Sequence, residues 1–474
     1  MGTTQQMGRF IVNAQYEDIP ERAVNMAKLS LLDAVGCAIY GTTRPLGKIM
    51  TSLTDEFGGK PVARVLGTNV ETNAVNAALA NGTLGHSEDF DDMGSGAHQT
   101  VLAMPVVFAL GEELHASGKQ VLTSYMVGFD ITANVALNIG HDHYAKGWHV
   151  TSSAGTLGCT AAAAKMLGLD EIQTRMALGI GASQAAGLRA NFGTMTKPFH
   201  PGNAARAGVL AAKMAKKGYE ANPDVMEHRF GYAAVYGEHM AQLPNMTRHL
   251  GNPWAIMGHG REVAKGISGS GIAIKIWPCC GNTHPGNTAI IRLLKKRRFT
   301  AAEVESVDIV TTNNPSTMAP HIRWPASGLQ GKFSVWYTVA SLIVDDGRLD
   351  LSSFTDESAS RPAVQDLLRR VNVVQDRETA GRPDRALGGE NWWDVSVNLK
   401  NGERLNTRVE GFGDTYGWES KESVVEKFKM LAGSVLKPTQ VDSAINAVMD
   451  LEKASDVRRI MDTVTRSREA ATRK

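Results

Sequence analysis

Apolar residues recur at spacings of three and four through the first half of the chain. Val24, Ala27, Leu31, Val35 and Ala38 fall on one face of a helix that opens after Pro20. Similar patterns continue to about residue 218, and residues 73–84, 121–137, 153–167 and 203–217 are rich in Ala, Leu, Met and Gly. Small residues let helix backbones approach closely, so the pattern predicts a tightly packed helical body. One short β-prone run, 62–66, precedes these segments, and no fixed-period repeat indicates a solenoid.

The pattern changes at Gly266-Ile-Ser-Gly-Ser-Gly271, a stretch suited to a hinge between two bodies. Strand-like runs follow at 304–311 and 394–400, the second joined through Asn401-Gly402 to 404–409. Asn-Gly between alternating runs predicts a hairpin. The last sixty residues return to helix, with Thr439-Gln-Val-Asp442 read as an N-cap and an acidic first turn. A helical tail after an α+β stretch predicts that the chain returns to the first body.

Composition narrows the function classes. Fifty Lys and Arg against 48 Asp and Glu leave a formal charge of +2 over 474 residues, which excludes a polyanion-coating protein. The basic run 295–298 reads as a solvated helix end and not as a nucleic-acid patch, since no aromatic residues are interleaved with it. The length suggests two or three domains at ~100–200 residues each. The longest apolar run, 101–110, contains Pro105 and falls short of the roughly 18–20 residues that span a bilayer, so no membrane role is expected. The N-terminus lacks a basic-then-apolar layout, and Gln6 departs from the myristoylation pattern; the expected location is cytoplasmic. Four cysteines, Cys37, Cys159, Cys279 and Cys280, fit a reducing compartment better than a disulfide framework. Cys279 and Cys280 with His284 lack the further ligands that a structural zinc needs.

Three segments carry candidate chemistry. In the first, Glu88-Asp89-Phe90-Asp91-Asp92 crowds four carboxylates between His86 and His98, with glycines at 82, 85, 94 and 96. Like charges raise one another's pKa, and a carboxylate can orient a histidine or bind a cation. The alternative is a helix end leading into a solvated acidic loop, while a magnesium-diphosphate site would want a second acidic cluster. In the second, His149 precedes a small-residue helix expected to begin near Ser152, where the dipole favours the neutral imidazole and suits it to accept a proton. In the third, Phe192 to Arg206, a glycine-bordered turn carries Lys197, and Pro201 with Asn203 is expected to open another helix with Arg206 in its first turn. Cations at a helix N-terminus oppose the dipole, which suits a bound carboxylate; an ordinary surface loop is the other reading.

These motifs together resemble the MmgE/PrpD family, which contains 2-methylcitrate dehydratases, cis-aconitate decarboxylases and iminodisuccinate epimerases. The resemblance rests on Leu31-Leu-Asp-Ala-Val-Gly36, Asn81 through Asp92, Trp148-His149, Gly193-Thr-Met-Thr-Lys197 through Arg206, Lys275-Ile-Trp-Pro-Cys-Cys280, and Gly331-Lys-Phe-Ser334 with Tyr337. It spans nearly the whole chain. It implies a mainly α fold: a large all-helical domain, residues 1–267 and 414–474, with a smaller α+β lid domain, 268–413, inserted between them. It also implies a homodimer, no required metal or organic cofactor, and a pocket between body and lid for a small di- or tricarboxylate.

Position by position, the resemblance implies catalytic roles for Asp89, His98, His149, Lys197 and Tyr337, and places Lys275, Arg206, Cys280 and Met93 at the substrate. Cys280 stands where the decarboxylases carry histidine and Met93 where they carry threonine, which disfavours decarboxylation of cis-aconitate. All the family activities involve carbanion-like charge beside a carboxylate, which needs a base, an electrostatic clamp and exclusion of water. The expected activity is a cofactor-independent, dehydratase-like lyase. An epimerase, a cis-aconitate decarboxylase, and a helical interaction protein that has lost catalysis are the alternatives.

Overall fold

The computed structural model describes residues 1–139, 141–237, 240–258, 271–312, 322–376, 392–410 and 420–466. The fold is mainly α. The hinge stretch expected at 266–271 falls, except for Gly271, outside the described residues, as do both expected domain boundaries, 267/268 and 413/414.

Buried apolar side chains form two main clusters. One gathers residues between Met7 and Ile274 with Val424 to Val464 of the tail, and the other gathers Cys279 to Val409. In the first, the helix Glu21–Gly41 is buried nearly all round and not only on the face of Val24, Leu31 and Ala38, because other helices surround it. It is long and apolar enough to cross a membrane, but 89% of its most apolar window is buried within the protein. The helix Thr100–Leu114 runs through Pro105, which is buried.

Close helix approach explains the small residues. A Cβ on Gly158 of helix Val150–Met166 would lie 1.8 Å from the Thr132 hydroxyl of helix Gly118–Asn138. A Cβ on Gly202 would lie 2.4 Å from the Leu79 carbonyl of helix Ala74–Gly85. Any side chain there would force the helices apart. Asn73 caps the last of these helices by accepting from the Val75 and Asn76 N–H groups.

Two expected helix starts move. Helix Thr196–Lys216 begins before Pro201 and contains it, so Arg206 lies in its interior and not in a first turn. Pro201 lies in the second turn and forfeits only the one backbone bond that its missing N–H would have made, while the Thr196 and Lys197 N–H groups find Thr194. In the tail, helix Pro438–Met449 has Lys437 at its N-cap and Pro438 at its first position, displacing Thr439 from that role.

The second cluster surrounds a four-stranded sheet ordered Val371–Gln375, Val304–Thr311, Trp392–Leu399, Arg404–Glu410. The first pair is parallel and the others antiparallel. The Asn401-Gly402 turn joins the last two strands as expected, with Gly402 at φ +87° and the Asn401 side chain accepting from the Glu403 N–H. Helices His284–Lys296 and Val335–Val344 pack with this sheet. The 295–298 run ends the first of them, where Arg297 pairs with Glu303 and Glu403 and Arg298 with Asp346. A small third cluster, Phe192 with Ile322 and Phe333 and with Cys280 against it, joins the two parts of the chain.

Candidate active site

The segment between helices Ala74–Gly85 and Thr100–Leu114 is not a solvated loop: Glu88, Asp89, Asp91 and Asp92 are all buried. Their charges are separated by giving each carboxylate different partners. Glu88 lies between Arg44 Nε, 2.8 Å, and Lys332 Nζ, 2.9 Å. Asp89 lies between Lys197 Nζ, 3.0 Å, and Lys275 Nζ, 2.5 Å. Asp91 faces the imidazoles of His86 and His98. Asp92 accepts from the backbone N–H groups of Gln99 and Thr100 at the start of the next helix.

Asp89 has a left-handed backbone, φ +51°, a conformation that a short polar side chain tolerates better than most. Its carbonyl and its carboxylate both accept from the fully buried Lys275. Burial opposes charge on Asp89, but the Lys197 and Lys275 ammoniums more than offset it and hold the carboxyl well below the usual range. Lys275 is pulled the other way: burial disfavours its charge, and Asp89 more than restores it. Lys197 also lies 5.3 Å and 5.2 Å from the ring centroids of Phe192 and Phe333, so aromatic faces close the cationic side of the pair.

Proton positions on two histidines follow from their partners. An ammonium only donates, so Lys197 Nζ, 2.7 Å from His86 Nε2, forces that nitrogen to accept. His86 Nδ1–H then donates to Asp91 Oδ1 at 2.7 Å. Burial, with Lys197 assisting, pushes His86 down to about 3 and keeps it neutral. His98 Nδ1 lies 2.8 Å from the Asp92 carbonyl and 3.2 Å from Asp91 Oδ2, both acceptors, so it too carries the proton. Its Nε2 is therefore a bare lone pair, 3.8 Å from Asp89 Oδ1, and burial and then Lys275 lower its affinity for a proton. Asp91 stays ionised because these imidazoles overcome its burial, and this one carboxylate orients both.

His149 occupies the N-cap position of helix Val150–Met166, with its ring 6.4 Å from the rings of both His86 and His98. Its Nδ1 lies 2.9 Å from His200 Nδ1. One nitrogen must donate and the other accept, so neutral rings leave one Nε2 bare and one protonated. Burial and Lys197 lower both, His200 to about 4.

The structure thus brings together Asp89, His98, His149, Lys197 and Lys275. Cys280 is half-buried against Phe192 and Phe333, and burial, then Asp89, raises its thiol pKa. Met93 pairs its backbone with Ala273, and its sulfur would lie 2.0 Å from a Cβ on Gly281, which sets it at the edge of the same seam. Two expected residues lie apart. Tyr337 is buried in the second cluster, where its hydroxyl donates to the Ser353 carbonyl and its charged surroundings are Arg361 and Asp345. Arg206 donates to Asn203 on its own helix. Its displacement follows from the early helix start, which gives the N-terminal turn to Lys197 alone.

Neither metal reading is supported by the donors. His86, Asp89, Asp91 and His98 offer ligand atoms within 4.8 Å of one another, yet two ammoniums occupy Asp89, and Asp91 accepts from His86 and lies 3.2 Å from His98 Nδ1. Cys279 Sγ faces Thr283, and His284 Nε2 faces the Cys279 carbonyl, so these two do not converge with Cys280 on one point.

Sequence reasoning missed the orienting role of Asp91 and the participation of His86, His200, Phe192 and Phe333. His200 had a signal, since it follows Lys197 by three residues and therefore shares its helix face. Phe333 reaches the site, and Lys332 reaches Glu88 beside it, through tertiary folding, which local spacing does not encode.

Models of the MmgE/PrpD N-terminal and C-terminal domains match residues 5–242 and 277–453. Cis-aconitate decarboxylase of Aspergillus terreus is 28% identical over 485 residues, covering 97% of this chain and 95% of its own. The Homo sapiens cis-aconitate decarboxylase is 28% identical over 475 residues, covering 96% and 92%. A cis-aconitate decarboxylase-like protein of Aspergillus oryzae, oryM, is 24% identical over 489 residues, covering 98% and 97%. With both domain models matched in order across most of its length, the chain belongs to the MmgE/PrpD family.

Proposed function

We propose that the protein is a cofactor-independent lyase for a small di- or tricarboxylate, with His98 as its base. The observation that carries this reading is the bare Nε2 of His98, fixed by two acceptors at Nδ1 and set beside a carboxylate that two buried ammoniums flank. A substrate carboxylate sharing Lys197 and Lys275 would place its neighbouring C–H toward that nitrogen. His98 takes the proton, and the electron pair left on carbon forms a double bond as the hydroxyl on the next carbon departs. The His98 imidazolium returns that proton to the departing oxygen, so the hydroxyl leaves as water and the ring is neutral again. The ammoniums stabilise the enolate-like charge as it grows, and the aromatic seam excludes solvent.

Lys275, Cys280 and Phe333 follow the hinge stretch in sequence, whereas Asp89, His98, His149 and Lys197 precede it. Asp89 and Lys197 are only 3% and 2% exposed, so substrate entry calls for opening along this seam, with residues 268–413 acting as the lid.

The test is incubation with a panel of di- and tricarboxylic acids in deuterated water. Absorbance from a new conjugated double bond, lost in His98→Asn, is the expected result. Deuterium incorporation without net conversion would replace lyase by epimerase chemistry. Complete inertness would favour an interaction protein and remove the proposal. Decarboxylation is the second reading, favoured by the names of the relatives, and carbon dioxide release from cis-aconitate separates it from dehydration.

A further inference from the structure

The C-terminal tail supplies a side chain to the underside of the site. Helix Lys421–Ala432 buries Val424, Phe428 and Leu431, an i, i+4, i+7 stripe, against helix Glu21–Gly41. A Cβ on Gly36 would lie 3.0 Å from the Phe428 ring, so the tail helix packs closely over this glycine. Lys427 lies on the same face, three residues after Val424 and four before Leu431. A lysine on a buried stripe is unfavourable unless its ammonium finds acceptors.

It finds three, on three separate segments. Lys427 Nζ lies 2.7 Å from Oδ1 of the fully buried Asp33, and donates to the Phe90 carbonyl at 2.6 Å and the Lys275 carbonyl at 2.9 Å. It also lies 3.8 Å from the centroid of the Phe90 ring. Phe90 follows Asp89 directly, and Lys275 is that aspartate's partner. One ammonium therefore ties the backbone of Lys275 and that of the residue next to Asp89 to the Glu21–Gly41 helix.

We infer that Lys427 is a positioning residue that holds Asp89 and Lys275 in register from behind. The inference rests on the reading of that pair as the carboxylate-binding site. Lys427 acts through the two carbonyls and touches no substrate. It also gives the discontinuous chain a purpose: the tail closes the back of a site whose front is built from earlier segments.

Propane-1,2,3-tricarboxylate, which lacks a leaving group, serves as the binding probe, and amide hydrogen exchange of residues 88–92 and 274–276 reports positioning independently of any ligand. Lys427→Met should weaken probe binding about tenfold or more and speed exchange in those two segments, with Lys427→Arg recovering much of both. Removing the cation alone leaves Asp33 buried and unpaired, so Asp33→Asn/Lys427→Met, which removes both charges, is the companion if the single variant unfolds. A folded variant with native binding and native exchange in both segments overturns the inference, as does faster exchange spread evenly over the protein. Lys197→Ala and Lys275→Ala with native probe affinity would instead overturn the carboxylate-site reading, and the exchange result would still decide the role of Lys427.

Discussion

Glu88 and Asp89 are neighbours in sequence, both buried, and each is flanked by two cations, yet the two groups are built for different ends. On the Glu88 side, Lys332 also donates to the Glu88 and Pro278 carbonyls, at 3.0 Å and 2.9 Å, and its remaining face lies over Phe354. Arg44 on the other oxygen reaches partly into solvent. Such a group ties the acidic segment to the second cluster and leaves no direction free for a reactant. On the Asp89 side the neighbours are neutral imidazoles, one with a bare nitrogen, and a half-buried thiol. Ion pairing alone does not make a site. A proton acceptor placed where the cations can stabilise the resulting charge does.

The largest expected effects separate these groups. Lys197→Ala should fold and lose roughly ten- to a hundredfold in turnover, since a charge-assisted contact is worth about 1.5–3 kcal/mol and more where charge grows in the transition state. Glu88→Gln should do the reverse, lowering stability by about 3–5 kcal/mol because Lys332 is left buried without its anion, while turnover per folded molecule stays near native. Urea denaturation and steady-state kinetics on both variants check this, and equal losses of turnover would erase the distinction. His98 must be neutral to act, and its proton affinity is lowered from the ordinary 6.5. Activity should therefore persist below pH 6.5 and fall as acid protonates the ring, and Lys275→Met should move that acid limb upward.

Asp92 offers a third environment for a carboxylate, with backbone N–H groups in place of cations. Burial and then Asp91 push it up to about 7 from the ordinary 3.8. Its contribution to stability is full below 3.8 and is lost as pH rises through about 7, by about 1.4 kcal/mol for each tenfold in proton affinity. His86, lowered from 6.5 to about 3, acts oppositely, contributing above 6.5 and failing as pH falls toward 3. Asp92→Asn keeps an oxygen for Gln99 and Thr100 but cannot ionise, so its melting temperature should exceed native at pH 8 and match it at pH 5. A difference that does not vary with pH would show that Asp92 is not the titrating group.

The Cys280 backbone N–H donates to the Lys332 carbonyl, but its thiol is influenced by Asp89, Lys197 and Lys275 of the Asp89 group. A thiol is a poorer proton donor than an imidazolium near neutral pH, so cis-aconitate decarboxylation should be slow in the native protein and measurably faster in Cys280→His. Overpacking against Phe192 and Phe333 would instead lower every activity, with a loss of about 1–3 kcal/mol visible in thermal melts. Robust carbon dioxide release by the native enzyme would show that the thiol is no obstacle.

Local pattern was enough for the helical first half and for the Asn401-Gly402 hairpin, because 3.6- and 2-residue periodicities and turn chemistry are local properties. It was enough to single out residues 86–98 as dense with chemistry, but not to apportion four adjacent carboxylates. The partners of Glu88 and Asp89, namely Arg44, Lys197, Lys275 and Lys332, come from four distant segments, and only the fold decides which cation meets which anion. The start of helix Thr196–Lys216 was missed because proline in the second turn is tolerated as well as proline at the first position, and the sequence does not distinguish them.

Tyr337 was expected beside the substrate, and its placement yields the smallest effect. It belongs with the Glu88 group: its ring centroid is 6.0 Å from that of Phe354, over which Lys332 sits, and its hydroxyl is committed to the Ser353 carbonyl. Burial raises its pKa, so the hydroxyl stays protonated and a donor. Tyr337→Phe should therefore leave turnover and its pH profile unchanged. It should lower stability by about 1–3 kcal/mol, the penalty of a buried carbonyl left without its donor. A loss of turnover at unchanged stability would bring Tyr337 back to the reacting centre, and with it an arrangement of the second body that exposes this hydroxyl to the Asp89 side.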